Sequence, residues 1–130
     1  MATLDMLRRD EHLETYAAGE TIFQIDEPAD KMYVIAEGDV EIRIGDTVLE
    51  RIEAGGIFGE MALIEHLPRS ATAVAITETK LSPITQRRFL YLVQNHPFFA
   101  LEVMQVLAHR LRRMDKTLLK HAATVDAKSA

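Results

Sequence analysis

The chain has 130 residues, 48% hydrophobic and 27% charged, which suits one globular domain and is too short for two ordinary ones. Its 20 acidic residues outnumber 15 basic ones, for a formal charge of -5, so it lacks the broad basic surface of a nonspecific nucleic-acid binder, and no nucleic-acid partner is expected. It has no cysteine, which excludes disulfide scaffolds, thiolate metal sites and cysteine nucleophiles, and no apolar run approaches the ~20 residues of a membrane span.

The first ten residues lack the apolar stretch of a secretion signal, and a cytoplasmic location is expected. Weak strand patterns follow at residues 14–16 and 21–23. The compact apolar run Met32-Tyr33-Val34-Ile35 is stopped by Gly38-Asp39. Val40, Ile42 and Ile44 then alternate with Glu41 and Arg43, the period of a half-buried strand. Gly45-Asp46 suits a tight hairpin into the strand Thr47-Val48-Leu49-Glu50-Arg51-Ile52, with glycine at the positive-φ position. A weak strand at Ile57-Phe58 and two more at residues 70–75 and 79–84 bring the count to about eight. Pro83 places the last at an edge or terminus. Many short strands with regular turns predict a sandwich or jelly-roll barrel over residues 13–84 of a single domain.

Helical signals take over from residue 85. Residues 86–95 read as a short helix with Thr85 as N-cap, and Pro97 separates it from a longer one. Residues 98–121 contain no proline or glycine and span roughly 36 Å if helical. Phe98-Phe99 reads as the core anchor of that helix. Ala100, Met104, Leu107, Leu111, Met114 and Leu118 recur at spacings of four and three. Such a seam serves either a homodimer or a helix laid on the barrel, and its strictness favours the homodimer. The basic set His109, Arg110, Arg112, Arg113, Lys116 and Lys120 reads as a solvated face near a helix C-terminus. Residues 122–130 are small and polar and are expected to be a flexible tail.

The segment that carries chemistry runs from Gly55 to Ala73. Gly55, Gly56 and Gly59 allow sharp turns and close approach of a ligand. Glu60-Met61-Ala62-Leu63 is a short helix former, and exposed N–H groups at its start, from Met61 and Ala62, offer partners to an anion. Pro68 ends the helix. Arg69 then presents a planar donor fork suited to phosphate, and Ser70 adds a hydroxyl and an amide. Glu60 would repel a phosphate, but it can accept a hydrogen bond from a neutral hydroxyl such as that of a ribose. A phosphate and a ribose together describe a nucleotide. Phe-Gly-Glu alone reads as a turn and Pro-Arg-Ser alone as a loop. Their nine-residue separation across a short helix is the specific signal.

On these residues the chain resembles the cyclic nucleotide-binding domain family, whose members include the catabolite activator protein, kinase regulatory subunits and gated channels. The run Phe58-Gly59-Glu60-Met61-Ala62-Leu63, followed by Pro68-Arg69-Ser70-Ala71, is similar to that family's phosphate-binding cassette. Gly19-Glu20-Thr21-Ile22-Phe23, Ala29-Asp30-Lys31-Met32-Tyr33-Val34-Ile35 and Gly38-Asp39-Val40 match its early strands, and Arg110-Leu111-Arg112 its last helix. The resemblance covers residues 13–113 and implies a mostly β fold, an eight-stranded β-roll (double-stranded jelly roll) with C-terminal helices. It implies that Arg69 pairs with the cyclic phosphate, helped by Ser70 and Ala71, and that Glu60 takes the ribose 2′-hydroxyl with backbone from Gly59. Ile42 and Leu49, on the hairpin facing the cassette, are candidates for an apolar wall at the base. The implied ligand is cAMP, ahead of cGMP. The implied role is a non-enzymatic, stand-alone sensor that signals to an effector protein through its C-terminal helices, with Met114, Asp115 and Leu118 as a lid.

Two departures from the family pattern stand out. Asp26 occupies a turn position usually held by glycine, and Gly56 replaces a frequent aspartate. Two rival readings remain: an interaction module with a vestigial nucleotide pocket, and a jelly-roll metal protein. Against the second, His12, His66, His96, His109 and His121 are scattered rather than clustered.

Overall fold

The computed structural model describes residues 6–129, with side chains as far as residue 116. Among the described residues eight strands form: β1 (Glu14–Tyr16), β2 (Thr21–Phe23), β3 (Lys31–Glu37), β4 (Asp39–Ile44), β5 (Thr47–Glu53), β6 (Ile57–Phe58), β7 (Thr72–Ala75) and β8 (Thr79–Thr85). They make two antiparallel four-stranded sheets, ordered β1-β8-β3-β6 and β2-β7-β4-β5. Helix α1 (Met61–Glu65) lies between β6 and β7, and α2 (Gln86–Asn95) and α3 (Phe98–Ser129) follow β8. This is the β-roll with C-terminal helices that the family resemblance implies.

The apolar run of β3 is explained by burial on both faces. Tyr33 and Ile35 turn into the roll, where they meet Phe23, Val40, Ile52, Phe58 and Leu81. Met32 and Val34 turn the other way, onto Leu92, Phe99 and Val103 of the helices. Successive strand side chains alternate in direction, so a strand sandwiched between two cores is apolar at every position. Each fully buried side chain of this size contributes roughly 1.5–3 kcal/mol of transfer free energy.

Gly45 carries a positive φ of 57° in the β4–β5 turn, as expected of a hairpin glycine. The hairpin then slips register. Ile42 pairs with Glu50 and Arg43 with Val48, so Leu49 falls in the irregularity without a cross-strand partner. β8 lies inside its sheet rather than at an edge, between β1 and β3. Pro83 is tolerated because β1 pairs only as far as Leu81, which leaves the strand open beside the proline. The Pro83 carbonyl on that open side accepts a hydrogen bond from Arg88 Nη1 at 2.9 Å.

Thr85 caps α2 as expected, its side chain accepting from the Arg88 amide at 3.2 Å. The phenylalanine pair at the start of α3 divides. Phe99 is fully buried, but Phe98 is 72% exposed, so only the second residue anchors the helix. α3 also continues to Ser129, through the segment expected to be a tail, which contains no proline or glycine to stop it. Its barrel-facing stripe is Phe99, Val103, Val106 and Leu107. Of the seam residues, Leu107 therefore packs on the domain, whereas Met104, Leu111 and Met114 are exposed. Leu118 lies outside the described side chains.

Candidate functional site

The site is built at the junction of β6, α1 and β7. Arg69 is only 7% exposed and stacks its guanidinium 3.9 Å from the centre of the Phe23 ring. Nη1 donates to the Gly59 carbonyl at 3.2 Å and Nη2 to the Lys31 carbonyl at 2.7 Å. Gly59 makes this approach possible. Its φ is +76°, and a Cβ there would stand 2.7 Å from Arg69 Nη1. The backbone of Arg69 is pinned to the β2–β3 turn, its amide donating to Glu27 O at 2.9 Å and its carbonyl accepting from the Asp26 amide at 2.8 Å. Asp26 takes the left-handed conformation (φ 71°) where the family resemblance leads one to expect glycine.

The electrostatics at Arg69 are unusual. Among the described residues no carboxylate forms an ion pair with it, and its buried Nε has no hydrogen-bond partner. Burial pulls its pKa down, and the nearby Tyr33, Asp30, Glu27 and Glu60 partly restore it. A buried cation served only by carbonyls and an aromatic face is in place to receive an anion.

Glu60, the residue after Gly59, is also buried, at 5% exposure. Its backbone is already helical (φ -64°, ψ -27°), and its carboxylate does not cap α1. It turns instead to α3, where Arg110 Nη1 donates to Oε1 at 2.6 Å. Arg110 Nη2 donates to the Ile57 carbonyl at 2.6 Å, and its Nε lies 3.2 Å from Glu50 Oε1. Glu50 Oε1 also receives Arg113 Nη2 at 2.6 Å. One guanidinium thus ties the cassette, β6 and β5 to the long helix. A cleft of about 390 Å³ lies between β5 and α3, with Glu50, Ile52, Val106, Arg110 and Arg113 on its walls.

The other expected site residues take these positions. Met61 is exposed at the start of α1, while Ala62 is buried and its amide donates to Gly59 O at 3.3 Å, so that amide is already engaged. Ser70 is exposed and Ala71 buried at the entry to β7. Ile42 is half buried against the roll core. Leu49 does not stand beside it: it is 54% exposed, and the register slip puts Glu50 opposite Ile42. His66 closes α1 in a left-handed conformation, and its Nε2 meets the Gln86 amide nitrogen at 3.3 Å, joining the cassette to α2.

Arg110, Glu50 and Phe23 escape a reading of motifs. Arg110 belongs to the barrel-facing stripe by spacing, four residues after Val106, so a charged residue on a buried face was the available signal. Glu50 likewise alternates with the inward Ile52. Counting Arg110 among solvated basic residues is corrected by its burial and its two carboxylate partners, whereas Arg113 is exposed as expected while also meeting Glu50.

Residues 13–96 match the model of the cyclic nucleotide-binding domain. A putative potassium channel protein of Rhodopseudomonas palustris is 37% identical over 98 residues, covering 73% of this chain and 24% of that protein. The cyclic AMP receptor protein of Thermus thermophilus is 32% identical over 108 residues, covering 79% of this chain and 50% of its own length. The crystal structure of Thermus thermophilus catabolite activator protein superposes with a TM-score of 0.74 at 30% identity, over 88% of this chain and 56% of that one. The chain thus spans half the length, or less, of the curated relatives named here. It belongs to the cyclic nucleotide-binding domain family. Among the described residues no helix is long and apolar enough to cross a membrane.

Proposed function

We propose, with that membership as the premise, that Arg69 and Glu60 hold the two polar ends of one cyclic nucleotide, cAMP in preference to cGMP. The observation that carries this reading is the Arg69 guanidinium, buried without a carboxylate and with its Nε free, one short turn from a buried carboxylate. A cyclic phosphodiester supplies the missing anion to Arg69, and its ribose 2′-hydroxyl donates to Glu60. Ser70 and Ala71 add contacts to the phosphate, Gly59 and Met61 border the ribose, and Ile42 lines the base side. The name of the Thermus relative, a cyclic AMP receptor protein, supports adenine as the base. The chain binds without catalysing. Occupancy is passed on by movement of α2 and α3, because α3 reaches the ribose carboxylate through Arg110 and a ligand shifts an equilibrium only by differential contacts.

Calorimetric titration with cAMP tests the reading. Arg69→Ala removes one charge-assisted phosphate contact, worth about 1.5–3 kcal/mol, so affinity should fall ~10- to 150-fold. Equal affinity in variant and parent removes Arg69 from the site.

A second copy of the chain is the proposed partner of the outward face of α3, where Leu101, Met104, Leu111 and Met114 are exposed in one continuous element. Sedimentation showing a monomer at high micromolar concentration contradicts this.

A further inference from the structure

The Arg69 guanidinium is gripped at its edge by two strands, and on its face by a ring that the same two strands clamp. At the edge, Nη1 donates to the carbonyl of Gly59, the residue after β6, and Nη2 to the carbonyl of Lys31, the first residue of β3. Against the face lies Phe23 of β2, its ring centre 3.9 Å from the guanidinium carbon. Phe58 of β6 packs on that ring at 5.9 Å and Tyr33 of β3 at 6.4 Å, and the two stack on each other at 5.2 Å. All three aromatic residues are buried, so the Phe23 ring has little room to turn.

The chemistry of this partner matters. A carboxylate in the place of Phe23 would neutralise Arg69 and compete with an arriving anion for the same N–H groups. An aromatic face attracts the cation through its quadrupole and occupies none of the donors. A guanidinium has five N–H groups, and the two carbonyls engage only one on each Nη nitrogen.

The geometry points to Phe23 as a positioning residue for phosphate recognition: its ring fixes the plane of the Arg69 guanidinium before the ligand arrives, without competing for the anion. The role rests on the phosphate reading of Arg69 given above. Without that ring the guanidinium must be ordered as the phosphate binds, and ordering one long side chain costs roughly threefold to tenfold in affinity.

A double-mutant cycle on cAMP affinity, measured by calorimetric titration, separates positioning from packing. F23L keeps a branched apolar side chain and removes the ring. It should weaken cAMP about threefold to tenfold in the parent. In an R69A background, where there is no guanidinium to hold, it should weaken cAMP less than about twofold. F23M, unbranched and adaptable, is measured in parallel so that a cavity left by leucine does not decide the result, and it should give the same pair of values. Equal losses in the two backgrounds make Phe23 a packing residue and overturn the role while leaving the phosphate reading intact. Parent-like or tighter binding by F23L and F23M does the same. An R69A variant that binds cAMP as the parent does overturns the phosphate reading and this inference with it.

Discussion

The two arginines of the site are held in opposite ways. Arg69 is buried against backbone carbonyls and the Phe23 ring, with no carboxylate in an ion pair with it among the described residues. Arg110 sits at the other end with two carboxylates and a carbonyl. The difference teaches which end waits for a ligand. An anion arriving at Arg69 fills a gap that the protein itself leaves open. A hydroxyl arriving at Glu60 must share a carboxylate already engaged in holding the long helix. On the proposed reading, affinity should be anchored at Arg69 and the conformational response at Glu60.

The sharpest way to break this contrast is to remove each arginine and read stability. Arg110→Ala leaves Glu60 buried and unpaired, which should cost about 3 kcal/mol of unfolding free energy. Denaturant titration without ligand should show Arg69→Ala losing much less, since no buried carboxylate is orphaned by it. Equal losses at the two positions would erase the distinction. The Glu60→Gln variant comes next in size. It should weaken cAMP roughly tenfold while leaving 2′-deoxy-cAMP bound as in the parent, measured by competition at equilibrium. If the variant binds the deoxy analogue far worse than the parent does, Glu60 serves the ligand in some way other than through its hydroxyl. The smallest effect is expected at Asp26, which meets the Arg69 carbonyl through its backbone amide alone. Asp26→Gly relieves a left-handed residue but adds freedom to the unfolded chain, so the melting midpoint should move by no more than about 4 °C. Affinity for cAMP should be unchanged, and a large change would extend the phosphate end into the β2–β3 turn.

The strands were largely legible because alternation and turn chemistry are local. Val40 and Ile42 facing the roll, the Gly45 turn and the Thr85 cap all follow from neighbours within a few residues. Leu49 was misjudged because a register slip cannot be seen in one strand by itself: it depends on the partner strand, and one residue of slip exchanges the faces. Phe98 was misjudged because two adjacent helical residues lie about 100° apart, so only one can point at the barrel, and the spacing with Val103 and Val106 selects Phe99. The outward position of Met104 and Leu111 has the same origin, a buried stripe displaced by one residue from the heptad seam.

Strand alternation and turn chemistry by themselves determined a sandwich or jelly-roll barrel, and the family resemblance carried by the Gly59-Glu60 to Pro68-Arg69 spacing implied the β-roll and named Arg69 and Glu60 as candidate cation and carboxylate. Tertiary structure alone decided that the carboxylate already has a partner and the cation does not. Arg110 stands fifty residues beyond Glu60 along the chain. A contact over that distance exists only once the core between roll and helices has closed, so no local pattern encodes it.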